Sequence, residues 1–251
     1  MAGEGMPASG RGPDATDLVL LAHGSPDPRH AAGVERVARE VRELGTGDRV
    51  HTAYLDHHGP SPAHVARTLT GGAVVPLLLT RAHHVRVDIP AAAAAMNHVG
   101  TGSFAVAGAL GPDELLFQAV EELLAGAGRA PGPQTAVLLC VGGSSYHAAV
   151  TALGTAAARR GRRGWGLWGV AALAGGQPVA VAAERLAARP GVEQVVAVPY
   201  LVADGVLRDR IAEQAGRAGL DVTPGTLGDT RSLARLVLRR AREAQPSSLR
   251  G

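Results

Sequence analysis

The sequence has no lysine, a single cysteine, only 3% aromatic residues and no long hydrophobic run. Because Cys140 stands alone, the chain forms no internal disulfide and no thiolate metal cluster, which favours a cytoplasmic protein. So few aromatic residues exclude a base-stacking surface for nucleic acid. No run approaches the roughly 18 apolar residues that a membrane-spanning helix needs. We therefore expect neither a nucleic-acid partner nor a membrane span.

The basic residues are all arginines, and acidic residues nearly balance them. The 25 basic residues stand against 22 acidic ones, which leaves a formal net charge of +3. Arginine binds carboxylates through two parallel hydrogen bonds, so this composition suits a ligand that carries several carboxylates. A GxxxxGK[ST] motif is missing, so the sequence does not indicate a nucleoside triphosphate.

The order of apolar patterns predicts an α/β protein of two tandem lobes. Short apolar runs alternate with stretches whose apolar residues recur at helical spacing. Strands are predicted at 17–22, 49–55, 73–79, 104–108, 136–141, 165–173, 192–202 and 220–223. Helices are predicted at 28–44, 62–69, 88–98, 113–124, 147–160, 178–188 and 206–218, and a last helix follows a Thr230 cap. This alternation predicts parallel sheets flanked by helices.

The lobes are predicted at 17–128 and 135–244. A Gly- and Pro-rich leader (1–16) precedes them, and a frayed tail (245–251) follows. The leader has no apolar core of the kind found in signal peptides.

The two lobes are related by a sequence repeat that has lost its histidines in the second copy. LLAHGS (20–25) recurs as LCVGGS (139–144), and VVPLLL (74–79) recurs as AVPYLV (197–202). At the matched positions His23 becomes Gly142 and His84 becomes Leu207. Nine of the ten histidines lie between His23 and His98. A duplicated scaffold with imidazoles in one copy indicates one metal or acid–base site.

Polar residues follow three predicted strands of the first lobe, where parallel sheets bind ligands. His23 and Ser25 follow the first strand, Asp56, His57 and His58 the second, and His83 and His84 the third. Two imidazoles and a carboxylate suit a divalent transition metal with open coordination positions.

Several of these histidines have a simpler interpretation. His57 and His58 precede a Gly-Pro pair and fit an exposed turn. His83 and His84 point opposite ways if the segment is extended, so at most one of them faces the site. The remaining ones are predicted to be solvated surface residues: His30, His51, His64 and His98.

Gly24 and Ser25 open the first predicted helix. Backbone N–H groups at a helix N-terminus bind anions, so a carboxylate or phosphate could lie there. The alternative is that Ser25 simply caps the helix.

Three motifs resemble those of the sirohydrochlorin chelatases, which insert cobalt or ferrous iron into a tetrapyrrole without ATP. They are LAHGSPDP (21–28), YLD (54–56) and HVRVDIP (84–90), the last following a PLLL strand. GALGPD (108–113) resembles the family's turn before its next helix. The resemblance covers 17–126, with 135–218 as the degenerate copy of two-lobed members.

The resemblance implies a chelatase-like fold with the tetrapyrrole in the cleft between the lobes. It assigns His23 and His84 as catalytic and metal-binding residues. Asp56 stands where the family has Glu as a proposed third metal ligand, and His83 is then a neighbour without a role. Gly24 and Ser25 belong to the binding site. Arginines near the strand ends are candidates to hold the carboxylates of the substrate, first Arg29 and Arg86, and with them Arg81, Arg208 and Arg210.

The implied metal substrate is Fe²⁺ or Co²⁺, and Ni²⁺ also suits these ligands. The expected enzyme is a metal chelatase, a lyase of siroheme or cobalamin synthesis, acting as a monomer or homodimer. Two rival interpretations stay open: a metal or tetrapyrrole carrier with the same fold, and a non-catalytic interaction protein. A phosphate-transfer enzyme fits least, because no arginine directly precedes His23-Gly24.

Overall fold

The computed structural model describes residues 17–44, 48–79, 83–142, 147–160 and 164–245. They form two α/β lobes that follow one another along the chain, as predicted. Within these ranges, no helix is both long enough and apolar enough to cross a bilayer.

The first lobe alternates strands and helices. Its elements are β1 (Asp17–Ala22), α1 (Pro28–Glu43), β2 (Arg49–Tyr54), α2 (Pro62–Ala66), β3 (Gly72–Pro76), α3 (His83–Val99), β4 (Phe104–Val106) and α4 (Glu114–Gly126). Strand β1 is buried along its whole length, as its unbroken apolar sequence predicts for a strand covered on both faces.

The second lobe repeats this order. Its elements are β5 (Thr135–Val141), α5 (His147–Arg160), β6 (Trp168–Ala172), α6 (Val179–Ala187), β7 (Gln194–Pro199), α7 (Val206–Arg217) and β8 (Asp221–Val222), then a short 3₁₀ helix (Leu227–Asp229) and α8 (Arg231–Ala244). Thr230 caps α8 as predicted, since its side chain accepts a hydrogen bond from the backbone N–H of Leu233.

Each lobe has a four-stranded parallel sheet, and the register of the two sheets supports the sequence repeat. The strand orders are β2-β1-β3-β4 and β6-β5-β7-β8. Pro76 of β3 pairs with Leu21, and Pro199 of β7 pairs with Cys140. His23 and Gly142 therefore each stand two residues beyond an equivalent pair, at equivalent ends of β1 and β5.

The two lobes share one hydrophobic core because helices cross between them. Helix α8 packs against α1, α4 and β3 of the first lobe. In the other direction, Phe117 of α4 contacts Trp168 of β6 edge to face, with ring centroids 5.7 Å apart. The buried Arg160 of α5 forms ion pairs with Glu114 and Glu121 of α4.

The predicted start of α3 was wrong by at least five residues. The helix is already present at His83, where the described range begins, and not only from 88, so Pro90 lies inside it and not in its first turn. Proline removes one N–H donor, and the helix continues through that missing bond. His83 and His84 therefore stand on a helix, and the extended segment assumed for them is absent.

Candidate active site

His23 lies at the point where the strand order of the first sheet reverses. Strand β1 lies between β2 and β3, so the first crossover leads to one side of β1 and the second leads back past β1 to its other side. A crevice opens at such a point beyond the carboxyl end of the central strand. His23 is the first residue beyond β1 and is half-buried there.

Gly24 brings the ends of β1 and β2 close together. Its φ is +96°, and an added Cβ would lie only 1.8 Å from the backbone oxygen of Asp56. Only glycine fits both conditions. The backbone N–H of Asp56 donates to the carbonyl of His23 at 2.9 Å, so the chain holds these two residues side by side.

A cavity of about 360 Å³ lies between the lobes with His23 in its wall. Gly24, Ser25 and His30 also line it from the first lobe. Apolar residues supply most of the remaining lining, among them Leu77, Leu78, Val141, Val150, Val202, Val206 and Leu207. Such a wall with few polar groups suits a largely apolar ligand that is oriented by a small number of polar contacts.

A second crevice of about 440 Å³ reaches His23 from the other side. Asp56, Ser61 and Asp88 are its other polar lining residues. Asp88 stands one helical turn after His84 on α3. His23 is thus shared by an apolar cavity between the lobes and a crevice with two carboxylates.

Asp56 lies beside His23, but its carboxylate turns to solvent and to His57. Its side chain is 65% exposed, and Oδ1 accepts a hydrogen bond from the backbone N–H of His57 at 2.7 Å. No three His, Cys, Asp or Glu side chains come together as a metal-ligand set among the described residues. The side chain of His84 lies outside them, so the ligand set of His23, Asp56 and His84 stays a prediction.

His30 lines the cavity, which the sequence did not predict. It was expected on the solvated surface, but it is half-buried in the first turn of α1. Its buried Nδ1 has no hydrogen-bond partner among the described residues. Burial lowers the pKa of His30, and the nearby His23 and His58 lower it further. A neutral imidazole therefore stands beside His23.

The other histidines with described side chains divide into confirmed and corrected predictions. His57 and His58 form the predicted exposed turn, and the His58 ring lies 4.6 Å from that of Tyr54. His64 and His98 are exposed, as predicted. His51 was wrongly placed at the surface, because it is half-buried with Nε2 2.9 Å from the buried Asp17.

Asp27, and not Ser25, caps α1. The helix begins at Pro28, and the Asp27 carboxylate accepts the backbone N–H of Arg29. The Ser25 hydroxyl accepts the backbone N–H of Asp27 at 3.2 Å. The predicted helix start at Pro28 is confirmed, whereas the prediction that Gly24-Ser25 open the helix was wrong, because Ser25 lies three residues before Pro28.

Arg29 connects the two lobes. Its guanidinium binds Asp27 and, through two hydrogen bonds of 3.1 and 2.6 Å, Asp209 of α7. These bonds hold the pKa of both carboxyl groups below the ordinary value. Arg208 is similarly paired with Asp204. Arg81 and the side chain of Arg86 lie outside the described residues. A role of these arginines in substrate binding stays a prediction.

Gly142 and Leu207 of the second lobe are the repeat equivalents of His23 and His84, and the structure shows how they lie relative to each other. Leu207 is the second residue of α7 and follows Pro199 of β7 by eight residues, as His84 of α3 follows Pro76 of β3. The Cδ1 atom of Leu207 lies 2.9 Å from where a Cβ on Gly142 would stand. The residue after the central strand and the second residue of this helix are therefore neighbours in the second lobe.

Cys140 takes no part in the site. It is fully buried in β5, and burial raises its pKa to about 12. The thiol therefore stays protonated at neutral pH, and it offers no thiolate to a metal ion.

Comparison with known proteins supports the resemblance seen in the motifs. Residues 17–127 match the model of the CbiX family. No curated protein shows a significant match to the chain.

Solved structures of chelatases share the two-lobed fold. SirB from Bacillus subtilis with Fe³⁺ is 19% identical, with a TM-score of 0.73 over 93% of this chain and 97% of that one. SirB from Bacillus subtilis subspecies spizizenii in complex with cobalt is 18% identical, with a TM-score of 0.69 over 92% and 95%. CbiX, described as the terminal enzyme of siroheme biosynthesis in denitrifying bacteria, is 15% identical, with a TM-score of 0.58 over 92% and 100%.

Proposed function

Since residues 17–127 match the model of the CbiX family, we propose that the protein inserts Fe²⁺ or Co²⁺ into sirohydrochlorin without a nucleotide. This reaction serves the synthesis of siroheme or cobalamin. The observation that carries the proposal is the position of His23, which reaches an apolar inter-lobe cavity on one side and a carboxylate-lined crevice on the other. The solved relatives with bound iron and cobalt are consistent with these metals as substrates.

His23 and His84 are the proposed metal-binding and catalytic residues. In the second lobe Leu207 lies against Gly142, and the same backbone positions in the first lobe are His84 and His23. This equivalence supports a pair of imidazoles that approach one ion together. Asp56 is the proposed third ligand, because its backbone already lies beside His23. Its exposed carboxylate would rotate away from His57 to bind the ion.

The chemistry of insertion fits neutral imidazoles. Sirohydrochlorin gives up two pyrrole N–H protons as its four nitrogens take the divalent ion. Imidazoles hold such an ion with open coordination positions and then release it to the macrocycle. An imidazole that has released its ion can accept a pyrrole proton and pass it to water.

The tetrapyrrole is proposed to lie in the inter-lobe cavity, with Gly24 and Ser25 at its wall. We also propose that the protein is cytoplasmic and works as a monomer or homodimer.

An insertion assay with metal-free sirohydrochlorin and each of Fe²⁺, Co²⁺ and Ni²⁺ tests the function directly. His23→Ala and His84→Ala are each expected to lower the insertion rate by more than about 100-fold, because each removes a ligand. Both variants should keep the thermal midpoint of the wild-type protein. His23 is half-buried and lies outside the core, and His84, as a ligand of the same ion, would also lie outside the core. Near-wild-type rates in either variant would reject the assignment.

His83→Ala is the matched control for His84→Ala. Successive helical positions are rotated by about 100° around the axis, so positions 83 and 84 are not equivalent on α3. His83→Ala should retain most of the insertion rate. The reverse outcome would transfer the ligand role to His83. Wild-type protein that binds metal and tetrapyrrole without insertion would favour a carrier, and failure to bind any divalent metal would favour an interaction protein.

A further inference from the structure

Val206 and Leu207 form an exposed apolar surface at the inter-lobe cavity. Their exposed fractions are 47% and 45%, and only Val106 and Val181 are comparably exposed large hydrophobic residues in the part of the chain that the structure describes. Val206 and Leu207 differ from those two because they are adjacent and both line the cavity. Apolar side chains that stay exposed inside a cavity indicate an apolar surface on its ligand.

Gly142 lets Leu207 lie against the end of β5. The Cδ1, Cδ2 and Cγ atoms of Leu207 stand 2.9–3.7 Å from where a Cβ on Gly142 would be, so any larger residue there would displace the side chain of Leu207. Val141 and Val150 continue the same wall. The second lobe thus presents a continuous aliphatic surface at the positions where the first lobe carries His23 and His84.

We propose that Val206 and Leu207, supported by Gly142, form an apolar platform for one face of the tetrapyrrole macrocycle. The faces of the ring are apolar and its carboxylates lie at the edge, so aliphatic side chains can cover a face and exclude water from it. Val206 and Leu207 offer no metal ligand, so we expect the ion to enter the ring from the side of His23. This inference rests on the proposed function, because it takes sirohydrochlorin as the ligand.

Fluorescence titration of the full-length chain with metal-free sirohydrochlorin tests the platform. Val206→Ala and Leu207→Ala should each raise the dissociation constant three- to tenfold, because each removes part of the apolar contact area. The affinity for Co²⁺, measured by calorimetry without tetrapyrrole, should not change. Val181→Ala is the matched control for Val206→Ala, since Val181 is 43% exposed on α6 and does not line the cavity. It should leave both affinities unchanged.

Gly142→Ala provides a second, independent test. The new methyl group must displace Leu207, so tetrapyrrole binding should weaken in the wild-type background. In the Leu207→Ala background the nearest atoms that the new methyl group would meet are gone, so the same substitution should have little further effect, which a double-mutant cycle would detect.

The results separate the platform from the proposed function. Wild-type insertion with dissociation constants within twofold of wild type in both platform variants would overturn the platform alone. An equal loss in Val181→Ala would also overturn it. Wild-type protein that does not bind sirohydrochlorin would overturn both proposals.

Discussion

His23 and Gly142 occupy equivalent positions at the ends of β1 and β5. The first lobe has an imidazole at this position, whereas the second lobe has a glycine that is covered by an apolar wall. The repeat in the sequence predicted this difference, because both positions follow similar apolar runs. The register of the two sheets supports the pairing, with Pro76 beside Leu21 and Pro199 beside Cys140. The surroundings of these two residues depend on tertiary packing. The sequence around Gly142 and the sequence around Leu207 therefore did not predict that the two residues are in contact.

The half-buried position of His30 was not predicted for a similar reason. Its neighbours in sequence are those of an exposed first turn of a helix, and only the opposite lobe makes the position half-buried. One feature of the sequence could have indicated that His30 lies near the site. His30 stands only seven residues after His23, in the first turn of the helix that follows it. Periodicity reports the buried face of a helix and does not report what covers its end.

Because of His30, the stability of the protein should depend on pH. Burial lowers the pKa of His30 in the folded state, whereas the unfolded chain protonates this residue near pH 6.5. The unfolded state therefore binds more protons just below that pH. Neutral His30 makes its full contribution to the free energy of unfolding when the pH is above the pKa of the unfolded state. This contribution is lost as the pH falls from about 6.5 toward the lower pKa of the folded state. His30→Gln should abolish this loss.

Urea unfolding of both proteins at about pH 7.5 and about pH 5.5 measures the effect. The free energy of unfolding should fall less for His30→Gln than for the wild type over this interval. His64→Gln is the control, because His64 is exposed on α2 and should leave the pH dependence unchanged. An identical pH dependence in His30→Gln and the wild type would contradict the prediction.

At the scale of elements, local pattern predicted the order of strands and helices. The apolar runs of β1 and β5 are buried throughout, and α5 is helical over the whole described range 147–160, as predicted. Element ends were less accurate. β7 ends at Pro199 although the apolar run continues to residue 202, and the last residues of that run line the cavity. The start of α3 was wrong because Pro90 was taken as a first-turn residue.

The turn between β1 and α1 depends on glycine at position 24. Gly24→Ala should destabilise the protein by about 2–4 kcal/mol, since it combines a positive φ with an overlap of Cβ and the Asp56 backbone. For a chain of this size the thermal midpoint should fall by roughly 5–15 °C. Insertion activity should also be lost, because the turn positions His23 beside Asp56.

Gly154→Ala is the matched control for Gly24→Ala. Gly154 lies inside helix α5, and a Cβ there meets nothing within 4 Å. The same substitution should therefore stabilise the protein by about 0.5–1 kcal/mol, because alanine is the better helix former. A Gly24→Ala variant that is as stable and active as Gly154→Ala would show that the strand ends do not need their close approach.

At the scale of the whole molecule, the two lobes are consecutive in sequence but exchange helices in space. The lobe bounds of 17–128 and 135–244 place α8 in the second lobe, yet α8 packs on α1, α4 and β3 of the first. Arg240 of α8 also donates hydrogen bonds to the carbonyls of Ala109 and Leu110. Sequence patterns show that α8 has an apolar face, but they do not show which neighbour covers that face.

A fragment that ends at residue 128 should therefore fail to fold by itself. Leu233, Leu236 and Val237 of α8 are fully buried in the shared core. Burying such a side chain contributes about 1.5–3 kcal/mol, so the three together approach the whole stability of a typical domain, about 5–15 kcal/mol. Circular dichroism of fragment 17–128 should show no cooperative thermal transition. A peptide of residues 227–245 added in trans should restore part of it, because it returns the missing cover to α1 and α4. A cooperative transition in the fragment alone would instead establish the first lobe as an independent domain with the bounds that the sequence predicts.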